Sequence, residues 1–216
     1  AGRHHSAHAL NVHEQFYLVD CGEGTQSRLM QYGINPMRLN AIFITHLHCD
    51  HLFGLFPLLS SLGLMGRKTP LKLFAPYPLA DLLASVNDYL DHRGDFEVQI
   101  LEVDTRAHTM IYENKVMEVW TVPLRHRVPT TGYLFREKTP PLNVRKDKIE
   151  FHKLTVANIV AAKRGEDISL DDGRILKNAG LTYIPYSPRS YAYCSDTLYS
   201  GKVVKLVEGV DMLYHE

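Results

Sequence analysis

Short apolar runs alternate along the sequence with segments of helical periodicity. The run at residues 41–45 is β-branched and continuously apolar, which is typical of a strand covered on both faces of a sheet. Other short runs predict strands at residues 16–19, 71–75, 96–103, 110–112, 116–122, 132–136, 191–194 and 212–214. Helices are predicted at residues 25–32, 52–64, 78–92, 155–164 and 202–207. Strands that alternate with helices indicate an α/β fold of packed layers with largely buried sheets.

One segment, residues 138–177, departs from this pattern. It is polar, it begins near Pro140 and Pro141, and only residues 155–164 have a convincing helical pattern. It contains nine lysines and arginines against six acidic residues, a mild basic excess. We interpret it as a polar excursion from the main domain.

The composition is that of a soluble globular protein. The length of 216 residues predicts one domain, residues 1–216, that is large enough to bury a core. No apolar run approaches the ~18 residues needed to span a bilayer. The net charge of zero gives no overall basic field for a nucleic-acid partner. The odd number of cysteines (Cys21, Cys49, Cys194) argues against a disulfide framework, so we expect a reducing, cytoplasmic setting.

Four ligand-type side chains follow the buried strand at residues 41–45. His46, His48, Asp50 and His51 lie within six residues, where the chain leaves the carboxyl end of the strand. Imidazole and carboxylate groups are ligands that zinc and similar ions prefer. A tight loop here could aim His46 and His48 at one ion, and Asp50 and His51 at a second. A histidine-rich surface turn is the alternative, and four such residues after one strand make it the weaker interpretation.

Two further candidate ligands also follow predicted strands. His126 comes shortly after the strand at residues 116–122, and Asp196 follows the strand that ends at residue 194. A carboxylate between two ions can bridge them. Taken alone, Asp196 could equally be a turn residue that caps the next helix.

These motifs together resemble those of a known family. Residues 46–51 (HLHCDH) resemble the signature of the metallo-β-lactamase superfamily. Four other motifs, in this order along the chain, resemble those of the ribonuclease Z family of tRNA 3′-processing endonucleases: residues 20–26 (DCGEGTQ), 126–133 (HRVPTTGY), 195–197 (SDT) and 215–216 (HE). The resemblance covers nearly the whole chain.

The resemblance implies a fold, a metal site and an activity. The fold would be a four-layer αββα sandwich of two mixed sheets with helices outside. His46, His48 and His126 would hold one metal ion, Asp50 and His51 a second, and Asp196 would bridge both. Asp50 would also position and deprotonate the attacking water or hydroxide, and His215 would assist the leaving oxygen. The implied protein is a homodimer that uses two Zn²⁺ ions to remove the 3′ trailer from precursor tRNA.

The sequence departs from the family pattern in three respects. The family has a further metal-binding histidine beyond the position of Glu216, and an opening strand before Ala1, so we expect a sequence trimmed at both ends. Residues 138–177 correspond in position to an arm that clamps tRNA in bacterial relatives. They lack the Gly-Pro-rich tip of that arm, so we treat them only as a candidate tRNA-contacting segment. Cys49 stands where relatives often have glycine, and we interpret it as a small packed residue rather than a ligand.

Other functions compete with the endoribonuclease. A phosphodiesterase of the same superfamily that acts on small or cyclic phosphodiesters would share the metals, and zero net charge slightly favours it. Hydrolysis of thioesters or lactones is weaker, because the later motifs do not indicate it. A metal-bound scaffold without activity is the non-enzymatic alternative.

Overall fold

The computed structural model describes residues 4–90, 96–170 and 172–216. Within them the strands are β1 (His8–Val12), β2 (Gln15–Val19), β3 (Leu39–Phe43), β4 (Leu71–Ala75), β5 (Val98–Glu102), β6 (Met110–Glu113), β7 (Met117–Pro123), β8 (Thr131–Glu137), β9 (Asn143–Val144), β10 (Ile168–Ser169), β11 (Ile175–Leu176), β12 (Thr182–Tyr183), β13 (Ser190–Cys194) and β14 (Met212–His215). The helices are α1 (Thr25–Gln31), α2 (Cys49–Leu52), α3 (Leu55–Leu64), α4 (Leu79–Leu90), α5 (Lys146–His152), α6 (Val156–Lys163), α7 (Asn178–Leu181) and α8 (Gly201–Val207).

The larger of two compact units contains the described residues up to Arg136 together with Ser190–Glu216. Its first sheet has the order β1-β2-β3-β4-β5, with β1 antiparallel to β2 and the other pairs parallel. Its second sheet has the order β14-β13-β8-β7-β6, with β13 and β14 parallel and β8 antiparallel to β13. Both sheets are therefore mixed.

Alternating side chains assign the two faces of each sheet to different apolar clusters. On the first sheet, Leu18, Ile42 and Leu73 pack in one cluster with side chains of α1, α3 and α4. On its other face, aromatic side chains of both sheets form a second cluster that includes Tyr17, Phe43, Phe74, Tyr133, Phe135 and Tyr193. This cluster fills the space between the sheets.

The outer face of the second sheet is covered in turn by a helix. Leu134 of β8 and Ala192 of β13 form a third cluster with Val203 and Val207 of α8. The three clusters separate four layers, in the order helix, sheet, sheet, helix. The predicted αββα sandwich with two mixed sheets is confirmed.

The second compact unit is Glu137–Arg189, which includes the predicted excursion at residues 138–177. It has two small two-stranded sheets, β9 with β12 and β10 with β11. Its own core contains Val144, Leu154, Ala162, Ile168 and Leu181. Helix α6 begins with a capping box, in which Thr155 and Asn158 bond each other's backbone amides. That this segment contacts tRNA stays a prediction.

Most predicted elements are present with shifted ends. The strand predicted at residues 41–45 is β3, which ends at Phe43. The helix predicted at residues 52–64 is interrupted after α2 and resumes as α3. The helix predicted at residues 78–92 corresponds to α4, and its last two residues lie outside the described ones. Within the described chain, no helix is long and apolar enough to cross a membrane.

Candidate metal centre

The predicted ligands follow the carboxyl ends of three strands. His46 comes after β3, His126 after β7 and Asp196 after β13. His48 immediately precedes α2, while Asp50 and His51 lie within this helix. The segment that follows His48 is therefore a short helix, and the tight loop predicted for it is wrong in this respect. A helical turn places Asp50 and His51 on adjacent positions of a fixed backbone.

The backbone of the turn at Cys21 and Gly22 packs closely against α2 and holds it in place. The amide of Cys21 donates to the carbonyl of His51 at 2.8 Å, and the amide of Gly54 donates to the carbonyl of Cys21 at 2.8 Å. A Cβ on Gly22 would collide with the carbonyl oxygen of Asp50, and one on Gly54 with that of Gly22. The close approach of the two backbones thus requires both glycines.

Four ligand atoms converge in a first group. The candidate donor atoms of His46, His48, His126 and Asp196 all lie within 4.8 Å of one another. Nε2 of His46 lies 2.9 Å from Nδ1 of His48, and Nε2 of His126 lies 3.4 Å from the same atom. Oδ2 of Asp196 lies 3.6 Å from Nε2 of His46 and 3.6 Å from Nε2 of His126.

A second group is centred on His51. Its Nε2 lies 3.7 Å from Oδ2 of Asp50 and 3.6 Å from Oδ1 of Asp196. Asp196 therefore directs one carboxylate oxygen to each group, Oδ2 to the first and Oδ1 to the second. This is the arrangement that a carboxylate between two ions requires.

Asp196 does not cap the following helix. The residue before α8 is Ser200, and no side chain caps that helix end. Asp196 has a φ of 52°, in the left-handed region, and Oγ of Ser195 donates to its Oδ1 at 3.1 Å. The turn thus points the carboxylate at the histidines, and the interpretation of Asp196 as a helix cap is wrong.

The buried carboxylate of Asp20 holds two of the histidines in position through hydrogen bonds. Nδ1–H of His51 donates to Oδ2 of Asp20 at 2.7 Å, and the hydroxyl of Tyr193 donates to the same oxygen at 3.1 Å. The Oγ1 hydroxyl of Thr45 donates to Asp20 and lies 2.9 Å from Nδ1 of His46. With both Nδ1 atoms engaged, the Nε2 atoms of His46 and His51 face the cluster.

The electrostatics of the cluster keep His46 neutral. Burial, together with the neighbouring imidazole of His51, lowers the pKa of His46 to about 3. Burial also acts to lower the pKa of His51, but its hydrogen bond to Asp20 and the surrounding carboxylates outweigh this and raise the pKa. The neutral imidazole of His46 is the form that binds a metal.

The donor set fits divalent metal ions. Three imidazole nitrogens and a carboxylate oxygen make up the first group, and two carboxylates with an imidazole the second, which are the ligand types of zinc-class ions. The six residues predicted from the sequence are thus brought together: His46, His48, Asp50, His51, His126 and Asp196. That each of them binds a metal stays a prediction.

One side chain near the cluster differs from expectation. Cys49 is exposed, so the interpretation of it as a packed residue is wrong, whereas Cys21 and Cys194 are buried as expected. All three cysteines are free. The role of Asp20 was not predicted, although one signal was present in the sequence, since Asp20 directly follows the apolar run of β2.

Comparison with known proteins places this geometry in a family. Residues 2–139, more than half of the chain, match the sequence family described as Anti-Pycsar protein Apyc1. A ribonuclease Z of Bacteroides fragilis is 40% identical over 211 residues, which cover 98% of this chain and 69% of that relative. The chain belongs to the ribonuclease Z family. A ribonuclease Z of Porphyromonas gingivalis is 38% identical and is matched over 99% of this chain and 70% of its own length.

Solved structures share the fold. The short form of human tRNase Z superposes with a TM-score of 0.65 at 21% identity, over 97% of this chain and 70% of that one. The metallo-β-lactamase fold protein YhfI of Bacillus subtilis has a TM-score of 0.55 at 17% identity, over 98% and 63% of the two chains. The fold is therefore the metallo-β-lactamase fold, and the family expected from the motifs is confirmed.

Proposed function

We propose that this protein is a metal-dependent endoribonuclease that removes the 3′ trailer from precursor tRNA. The observation that carries the proposal is the 40% identity to a ribonuclease Z over 98% of the chain. The convergence of six ligand-type residues, with Asp196 between two groups of them, supports a hydrolytic site of the kind that such an enzyme needs.

The site would hold two ions, and Zn²⁺ suits its nitrogen and oxygen donors. His46, His48 and His126 would hold the first ion, Asp50 and His51 the second, and Asp196 would bridge them. When bound, such ions lower the pKa of an attacking water and neutralise charge that builds up on the phosphate oxygens.

Asp50 would orient the attacking water and accept its proton. Its side chain is 58% exposed, against 3% for that of His51, so Asp50 can reach both the cluster and incoming solvent. Asp20 would keep His51 in one orientation, through a carboxylate–histidine pair that is buried on both sides.

Assembly and location follow from the family resemblance. We propose a homodimer that acts in the cytoplasm, and the three free cysteines are consistent with a reducing compartment. Size-exclusion chromatography with light scattering measures the assembly, and an elution mass of one chain would contradict it.

Parallel assays on two substrates test the activity. The purified protein is incubated with a precursor tRNA and, separately, with a small chromogenic phosphodiester, before and after chelation of metal. We expect cleavage of the tRNA that chelation abolishes and added Zn²⁺ or Mn²⁺ restores. Hydrolysis of the small diester without cleavage of the tRNA would favour the alternative phosphodiesterase, and no hydrolysis of either would favour the inactive scaffold.

A further inference from the structure

A cleft of about 930 Å³ opens beside the candidate metal centre. Its lining belongs to Glu216 and to the two loops that carry the last two predicted ligands. The lining includes His126 and Asp196 together with Arg125, Arg127, Leu198 and Glu216.

The two loops are fixed to each other by their backbones. The amide of Arg125 donates to Oγ1 of Thr197 at 3.0 Å, and the amide of Leu198 donates to the carbonyl of Arg125 at 2.9 Å. These bonds join the residue before His126 to the two residues that follow Asp196. The backbone of Arg125 is therefore fixed in position relative to the candidate ligands His126 and Asp196.

Both arginine side chains are available to a ligand. Arg125 and Arg127 are exposed, and neither guanidinium has an ion pair within the part of the chain that the structure describes. Arg127 directly follows His126, a candidate ligand of the first group, and both residues line the cleft. Leu198, with 65% of its surface exposed, adds an apolar wall to the cleft.

We infer that Arg125 and Arg127 form a phosphate-binding subsite that holds the RNA strand next to the phosphodiester to be cut. The planar guanidinium group matches two phosphate oxygens at once, and two such groups, two residues apart, suit successive phosphates of a strand. Leu198 packs against a ribose or base between them. This subsite belongs to the proposed endoribonuclease function and specifies how its substrate is held.

Equilibrium binding tests the subsite without relying on turnover. The probe is a fluorescein-labelled RNA of eight nucleotides, whose anisotropy is measured against protein concentration at several salt concentrations, with a gel after each titration to verify that the RNA is intact. The variant is Arg125→Gln with Arg127→Gln. We expect its dissociation constant at 0.1 M salt to rise about tenfold. The slope of log affinity against log salt should fall by about 1.4, since each lost contact with a single strand removes about 0.7.

Lys115→Gln is the matched control. Lys115 is an exposed cation in the turn between β6 and β7, at the opposite end of β7 from His126. Its loss should leave both affinity and salt slope unchanged. The double variant Arg125→Lys with Arg127→Lys retains both positive charges but loses the planar guanidinium groups. It should therefore keep most of the salt slope and lose part of the affinity for RNA.

Two results would overturn the subsite. These are unchanged RNA binding by the double glutamine variant, or an equal loss of binding in Lys115→Gln. Failure of the proposed function is a separate result. If the unmodified protein does not cut precursor tRNA, yet its RNA binding depends on Arg125 and Arg127, the subsite stands and its substrate is another polynucleotide.

Discussion

Oδ2 of Asp20 lies 2.7 Å from Nδ1 of His51, and both side chains are buried. The same carboxylate accepts hydrogen bonds from the backbone amide and hydroxyl of Thr45 and from the hydroxyl of Tyr193. Asp20 thus fixes the imidazole of His51 and, through Thr45, that of His46. Since His51 belongs to one group of candidate ligands and His46 to the other, Asp20 supports both groups from outside the ligand set.

Replacing Asp20 with asparagine should weaken metal binding. Asn tolerates the left-handed backbone of residue 20, whose φ is 57°, but its amide nitrogen cannot accept the bonds that the carboxylate accepts. Loss of such a supporting partner typically costs 10–100-fold in metal affinity. Competition with a chromogenic chelator measures this affinity. Asp81→Asn, on an exposed position of α4, is the control. A folded Asp20→Asn variant with unchanged metal affinity would contradict the supporting role.

The purified full-length protein should contain close to two divalent ions per chain. Two groups of ligand-type atoms share Asp196, and six such residues are too many for one tetrahedral ion. Elemental analysis measures the content. Metal removal should also lower the melting temperature, because free metal at about 1,000 times its dissociation constant adds roughly 4 kcal/mol to the free energy of unfolding. Protein without metal, whose activity added zinc or manganese does not restore, would disprove the two-ion site.

Asp50→Ala should reduce turnover by about 100-fold or more and leave the fold intact. Asp50 would both bind a metal ion and accept the proton of the attacking water. Loss of either role commonly lowers the rate by this factor. Because its side chain is 58% exposed, truncation removes little packing. Steady-state kinetics on the small diester and thermal unfolding measure the two effects, with Asp81→Ala as the control. Turnover near that of the unmodified protein would rule out Asp50 as the proton acceptor.

The basic side chains of the second unit should contribute to tRNA binding. Lys146 and Lys148 lie on α5, and Lys163 and Arg164 at the end of α6. Changing all four to glutamine should raise the KM for precursor tRNA and flatten its salt dependence by about one unit per lost phosphate contact. Hydrolysis of the small diester should hardly change. The control variant changes Lys202 and Lys205, which are exposed on α8, to glutamine. Unchanged tRNA affinity and salt slope would remove this segment from the binding surface.

The fold could be predicted where burial leaves a strong pattern. Strand β3 is buried on both faces and was recognisable from its apolar run alone. Strand β1 was missed, because its residues are only partly buried and its turn to β2 consists of His13 and Glu14. Both have positive φ angles, 48° and 63°, without the glycine or asparagine that usually marks such a turn. Helix α5 has no buried residue, so it has no apolar stripe to recognise.

The candidate ligands could be predicted because most lie close together in sequence. The order of the motifs identified the family, which the 40% identical relative confirms. The function of Asp20 depends instead on contacts with Thr45, His51 and Tyr193, which are 25, 31 and 173 residues away. Such contacts exist only in the folded chain. That Asp196 directs one carboxylate oxygen to each group likewise depends on the backbone conformation of one turn.

Mapping the cut on a precursor tRNA tests the proposed function most directly. The protein is incubated with a transcript that carries a 3′ trailer, and the new ends are sequenced, with Asp50→Ala in parallel. The proposed endoribonuclease releases the trailer by one cut at the 3′ side of the acceptor stem, dependent on metal and on Asp50. Cuts scattered along the transcript, or an intact transcript in the presence of metal-loaded protein, would contradict it.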